Sequence, residues 1–158
     1  MNAKRRLASW LYATAAVAYA ADRLTKVWAE HTLAGHHSVK LIPGVLQLVY
    51  TTNSGGAFGV GGSAPLLFAA ASILVSVVIV AYSFRMQHGL VAVSLGLVLG
   101  GALGNLTDRW LNGNGFDGRV VDFIDFRVWP VFNLADTAIV IGAALLLLAG
   151  AQHRDARE

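Results

Sequence analysis

The sequence predicts an all-α membrane protein. It has four transmembrane helices, both termini in the cytoplasm and a small extracytoplasmic β element, all within one integral-membrane domain over residues 1–158. Three observations carry the prediction. The chain is 56% hydrophobic and 13% charged, with a mean hydropathy of +0.58, where a soluble domain is about half apolar and a quarter charged. Four apolar segments recur, each near the ~20 residues that cross a bilayer core as a helix. The net charge of +3 comes from basic residues of which half sit in short clusters beside those segments, so no basic face for nucleic acid is present and none is expected as a partner.

The first span covers about residues 7–28 and is uncharged until Asp22. Lys4-Arg5-Arg6, an apolar run and Ala18-Tyr19-Ala20 also fit a cleavable secretory signal. The polar "DRLTK" that follows is wasted as a new amino terminus, and the segment is read as a retained span. An outer loop follows over about 29–63. Within it Val39 to Thr52 is β-prone and broken by Pro43-Gly44, a short hairpin or strand pair. Asn53 opens a glycine-rich turn ending in Phe58, and 59–63 reads as a connector. The second span, about 64–84, carries no charge until Arg85, and the third, about 90–110, carries none until Asp108. The second outer loop, about 111–132, begins with the turn-rich "LNGNGFDG" and continues as "RVVDFIDFRVWPVF". Two apolar neighbours on each side of Asp122 suggest partial burial, which raises a carboxyl pKa; Asp125, near Arg127, reads as surface. The fourth span covers about 133–151.

Orientation follows from the excess of Lys and Arg on cytoplasmic loops. With the amino terminus inside, that side collects Lys4, Arg5, Arg6, Arg85, Arg154 and Arg157, against Lys40, Arg119 and Arg127 outside. Every carboxylate in a span then falls at the outer face: Asp22 with Lys26, Asp108 with Asn105 and Arg109, and Asp136 with Asn133. An ionised Asp at mid-bilayer costs roughly 2.5–3.5 kcal/mol, less near the interface, against a total stability of ~5–15 kcal/mol. Such residues must be paired, wet or protonated. Taken singly, each has a plain structural reading: Asp22 and Lys26 as an i, i+4 ion pair, Asn133 as a helix cap with Asp136 in the first turn, Asp108 beside Arg109 as an interfacial anchor. Converging at one face, they point to a site.

The chain has no cysteine, which removes thiolate nucleophiles and Cys-based metal sites. There is no HExxH and no His in any predicted span, against a zinc protease. Lys26 lacks an obvious serine partner, against a Ser-Lys hydrolase. Two nearby carboxylates that share a proton remain, one taking a proton from water and the other donating to an amide carbonyl, with no cofactor required. Spacing allows either Asp108 or Asp122 to partner Asp136. An ion-coupled carrier using Asp22, Asp108 and Asp136 is the alternative, but a carrier places polar residues toward the midplane, where spans two and four offer none. A structural or assembly protein leaves the convergence unexplained.

"DRLTK" (22–26), "NSGGAF" (53–58), "GGALGNLTDR" (100–109), "VVDFIDF" (120–126) and "FNLADTAI" (132–139) occur in an order that strongly resembles the lipoprotein signal peptidase (signal peptidase II) family. The resemblance covers nearly the whole chain. It implies a four-span aspartic endopeptidase of the cytoplasmic (inner) membrane with its active site at the extracytoplasmic face. Such an enzyme removes the signal peptide from diacylglyceryl-modified prolipoproteins, cutting before the lipidated cysteine. It implies membrane lipid as a partner and inhibition by a globomycin-type cyclic peptide. The catalytic pair falls by position on Asp122 and Asp136, and Asp22, Lys26, Asn53, Asn105, Asp108, Arg109 and Asn133 match supporting polar residues. The surroundings agree: Asp122 lies between apolar residues on a non-helical stretch, which favours a protonated acid, and Asp108 beside Arg109 suits a permanent charge. The sequence departs from the family at Gly56, where alanine is commoner, and in a longer stretch between Asp108 and Asp122, which bears on the aim of Asp122.

Overall fold

The computed structural model describes residues 3–55 and 64–155. The described chain forms helices α1 (Ala3–Leu33), α2 (Pro65–Tyr82), α3 (Gly89–Leu111) and α4 (Leu134–Asp155), with strands β1 (Val39–Ile42), β2 (Leu46–Asn53) and β3 (Val120–Asp125). Gly56, Phe58, the connector 59–63 and Arg157 lie outside the described residues, as do the side chains of Lys4 and Arg154.

Among the described residues, three helices are long and apolar enough to cross a membrane: Pro65–Tyr82, Gly89–Leu111 and Leu134–Ala151. α1 is not among them. Its apolar content rests largely on alanine, and Asp22, Arg23 and Lys26 interrupt its second half. At 31 residues it is ~46 Å long at ~1.5 Å per residue, well beyond a ~30 Å hydrocarbon core. Its last turns bury Ala29 and Leu33 against Phe123, Leu48, Tyr50 and Leu134. The helix runs past the residue near Trp28 at which the first span is expected to end and takes His31 with it, because Ala29 and Leu33, one turn apart, form the seat of the sheet.

α3 is the central helix and packs against α1, α2 and α4. Gly96, Gly100 and Gly104 recur every four residues along its α1-facing side. A side-chain carbon at these positions would collide with the Leu11 carbonyl, the Ala15 carbonyl and the Asp22 carboxylate respectively. Gly101 meets the Ala135 carbonyl of α4 in the same way. Apolar side chains gain little by leaving lipid for protein, so close backbone approach supplies much of the helix packing. At one end the bundle closes with an apolar cluster of Leu7, Leu11, Ile79 and Met86. The polar residues lie at the other end, under the sheet.

The sheet is antiparallel in the order β1-β2-β3. Its hairpin turns at Pro43-Gly44, where Gly44 takes φ 78 and Val45 N–H donates to the Ile42 carbonyl at 3.0 Å. The strand pair expected over Val39 to Thr52 is present and extends one residue, to Asn53. β3 adds the third strand, with Asn53 opposite Val120 and Thr51 opposite Asp122. Beyond β3 the chain returns at Phe132, which bridges Ile124, and enters α4.

Candidate active site

Asn133 joins the sheet to the last helix. Its Oδ1 accepts the Asp136 backbone N–H at 2.9 Å, which satisfies a free donor of the first turn as an N-cap does. With the carbonyl half so engaged, the amide nitrogen faces the other way and donates to Asp122 Oδ1 at 2.6 Å. It also reaches the Val121 carbonyl and Asn105 Oδ1, each at 3.3 Å. The cap reading of Asn133 is therefore correct and incomplete: one side chain starts the helix and holds the neighbouring strand's carboxyl group.

Lys26 performs the matching task on the other side. Its buried ammonium has three donors and no acceptor, and they meet Asp22 Oδ2 at 2.8 Å, Asp108 Oδ2 at 2.9 Å and Asn105 Oδ1 at 2.9 Å. A donor-only neighbour obliges Asn105 to turn its carbonyl inward. Its amide nitrogen then donates to Asp136 Oδ1 at 2.8 Å. The i, i+4 pair of Asp22 and Lys26 exists as expected, within a larger network. Asp22 Oδ1 accepts the Ala135 backbone N–H at 2.9 Å, fastening α1 to the first turn of α4. Asp108 accepts from Arg23 and Lys26 and from the Val121 backbone N–H at 3.0 Å. That last bond holds β3 one residue before Asp122.

Asp122 and Asp136 line one cleft of about 350 Å³, together with Asn53, Asn105, Arg109 and Phe132. Asp108 lies outside it. Among the described residues neither cleft carboxylate forms an ion pair. Asp122 receives amide donors from Asn133 and Asn53, and the Asn53 side chain is steadied by accepting the Gly55 N–H at 2.7 Å. The Asp122 carboxyl is pushed up to about 7, first by loss of water and then by the Asp136 charge, with the two amides and Lys26 pulling the other way. Arg109 donates to the Gly118 carbonyl at 3.0 Å and lies over the Phe68 ring at 5.9 Å, so it ties α3 to the second loop and to α2.

The longer stretch before Asp122 closes on itself. Asn112 Nδ2 donates to the Arg119 carbonyl at 3.1 Å, and Asn114 N–H to Asp117 Oδ1 at 2.8 Å. With Arg109 holding Gly118, the loop goes out and back and delivers β3 to its register. Asp125 departs from the surface reading: it is half-buried because Gln47, opposite it in the sheet, donates to it at 2.7 Å. Its link to Arg127 runs through that residue's backbone N–H, also at 2.7 Å.

The structure thus brings all nine expected site residues to the sheet end of the bundle, eight of them linked by hydrogen bonds or ion pairs and Arg109 on the cleft wall. Arg23 was missed. Two buried carboxylates, Asp22 and Asp108, set against the single Lys26 call for a second cation, and Arg23, next to Asp22 in sequence, supplies it to Asp108 across the bundle. The glycine spacing of α3 likewise announces a backbone approach. Trp129 and Pro130, which also line the cleft, sit on a loop with no periodic signal.

A family model described as signal peptidase (SPase) II matches residues 14–151. A lipoprotein signal peptidase of Syntrophomonas wolfei is 46% identical over 128 residues, covering 80% of this chain and 83% of that protein. One from Halothermothrix orenii is 41% identical over 128 residues, covering 80% and 85%. A solved bacterial membrane enzyme superposes with a TM-score of 0.79 at 27% identity, covering 94% of this chain and 91% of its own. A second gives 0.75 at 29% identity, covering 88% and 90%. With three apolar helices of spanning length and two membrane enzymes as structural neighbours, the protein is a multi-pass membrane protein. The chain belongs to the signal peptidase II family and is a peptidase of its aspartic type.

Proposed function

We propose that this peptidase removes the signal peptide from diacylglyceryl-modified prolipoproteins, cutting before the lipidated cysteine by water activated between Asp122 and Asp136. The observation that carries the reading is the shared cleft: two carboxylates line it, neither in a salt bridge among the described residues, one of them with a pKa raised to about 7. Asp136 sits at a helix N-terminus and receives the Asn105 amide, and it takes the proton of the attacking water. Asp122 holds the shared proton and donates it to the scissile carbonyl oxygen. Collapse of the tetrahedral intermediate returns that proton through the pair to the leaving amine. Asn53, Asn105 and Asn133 orient the pair. Asp22, Lys26 and Asp108 orient the amides and the strand, and Arg109 fixes the cleft wall.

The reading includes four spans, with α1 as the first, both termini in the cytoplasm and the sheet at the extracytoplasmic face of the cytoplasmic membrane. The basic clusters and the overhang of α1 support it. Purified protein incubated with a lipidated prolipoprotein should release two products whose masses place the cut before the modified cysteine. A globomycin-type cyclic peptide should block that release, and chelators should not. Absence of cleavage by folded protein would end this reading. Because the chain has no cysteine, one introduced at Asn114 should react with an impermeant maleimide from outside and one at Gln87 should not.

A further inference from the structure

We infer that the open groove between α1 and α2 binds an anionic phospholipid of the leaflet opposite the sheet, and that this lipid ties the two helices together. α1 and α2 each pack on α3 and scarcely on each other. The groove between them has a volume of about 790 Å³, with Leu99 and Leu103 of α3 as its floor, Ala16 of α1 on one wall and Val77 and Val80 of α2 on the other. It shares no lining residue with the cleft that contains Asp122 and Asp136.

Hydroxyl pairs close both ends of the groove. Toward the sheet, Thr107 Oγ and the Tyr19 hydroxyl lie 3.2 Å apart. At the other end the Tyr12 hydroxyl donates to Ser83 Oγ at 3.1 Å, and Ser83 Oγ donates to the Val80 carbonyl at 2.8 Å. Ser76, on the α2 wall, donates to the Ser72 carbonyl at 2.8 Å. With these groups satisfied inside the protein, the ~10.5 Å from Tyr12 to Tyr19 along α1 offers an occupant apolar surface. Val77 is 60% exposed, and α2 is the least buried of the three spanning helices. The groove therefore opens to hydrocarbon, and an acyl chain is the filler that lies there.

The headgroup is specified by the charges beyond Tyr12. Arg5 precedes Tyr12 by seven residues, two helical turns, and so shares the face of α1 that carries Tyr12, Ala16 and Tyr19. Arg85 follows Ser83 by two residues, in a turn where its N–H donates to the Tyr82 carbonyl at 2.9 Å. Both arginines are exposed, and among the described residues neither is in a salt bridge. Arg6 is otherwise engaged, over the Trp10 ring at 5.5 Å. One guanidinium from each helix thus flanks the mouth of an apolar groove. A phosphodiester with an acyl chain attached complements both parts, since guanidinium groups pair well with phosphate.

The test is native mass spectrometry and thermal unfolding of the full-length protein in detergent micelles, titrated with dioleoyl phosphatidylglycerol or dioleoyl phosphatidylcholine. A basic side chain beside an anionic headgroup is worth about fivefold in affinity, so wild type should prefer the glycerol lipid about 25-fold. Binding should raise its melting temperature. Arg5→Gln and Arg85→Gln should each remove about fivefold of that preference, and together all of it. Lys40→Gln, a cation lost from the sheet, should remove none. Ala16→Phe fills the groove and should weaken both lipids about tenfold with the preference kept, while Ala13→Phe, exposed on α1 outside the groove, behaves as wild type. Ala81→Leu carries this arm if Ala16→Phe does not fold. Equal binding of the two lipids by wild type overturns the inference, as does a preference that survives loss of both arginines or falls as far in Lys40→Gln. Undiminished lipid binding by a folded groove variant overturns it too. So does a wild-type dimer that Ala16→Phe dissociates, which would give the groove to a second copy of the chain.

Discussion

Asp108 and Asp122 are the same side chain, almost equally withdrawn from water at 1% and 2% exposure, yet their surroundings differ. Asp108 is met by two cations and a backbone N–H. Asp122 is met by two neutral amides and faces a second carboxylate across the cleft. The first environment is built from donors alone, two of them charged. The second leaves charge finely balanced against a proton, near neutral pH. Burial alone therefore does not make a carboxyl group reactive; the nature of its donors decides whether it becomes a strut or an acid.

The largest expected effect separates the two roles. Asp122→Asn and Asp136→Asn should each lower turnover by about 10³-fold or more, since an amide cannot exchange the shared proton, with thermal stability near wild type. Asp108→Asn should show the reverse pattern, a lowered melting temperature with measurable turnover. A folded, active Asp122→Asn beside a dead Asp108→Asn would exchange the two assignments.

The next effect lies in the cation that supports the strut. Lys26→Met leaves Asp22 buried without its lysine and strips Asp108 of one of its two cations, and breaking a buried pair costs ~3–5 kcal/mol. The protein should unfold far below the wild-type temperature, and Asp22→Asn added to Lys26→Met should recover part of the loss. Lys26→Met with an unaltered melting temperature would show that the network adds no stability. Gly104→Ala should cost less, ~1–3 kcal/mol as overpacking does, because the added methyl group meets the Asp22 carboxylate; Leu103→Ala on the neighbouring exposed position serves as the control.

The smallest effect concerns pH. A carboxyl raised to about 7 in the folded protein contributes stability that is present at low pH and lost as pH rises through that value. kcat/KM should therefore fall above about pH 7 as Asp122 loses its proton. Asp122→Asn cannot ionise, so its melting temperature should gain on wild type between pH 6 and pH 8. A constant difference across that interval would show that Asp122 does not titrate there.

Hydrophobic runs and the ends at which polar residues interrupted them were enough to read the helices and the convergence of Asp22, Lys26, Asn105, Asp108, Asn133 and Asp136, because both are local properties of helix periodicity. The hairpin at Pro43-Gly44 was legible from local turn chemistry, a β-prone run broken by Pro-Gly. What pairs across the fold was not. The Asp108 bond to Val121 N–H, the Gln47 cover over Asp125 and the reach of α1 to Leu33 each depend on a strand register or a docking surface that spacing along the chain does not encode. Asn133 shows the limit most clearly: the sequence offered a cap or a site residue, and an amide has two ends.

The bond from Asp22 to the Ala135 backbone N–H joins residues 113 positions apart, and Asp136 follows at once. A ribosome delivers the first carboxylate early and the helix it fastens last. Until that helix arrives, Asp22 has no α4 backbone to fasten, and Asp122 has neither Asn133 nor Asp136 beside it. On the proposed roles of Asp122 and Asp136, the nascent chain cannot cut peptide bonds until α4 has docked.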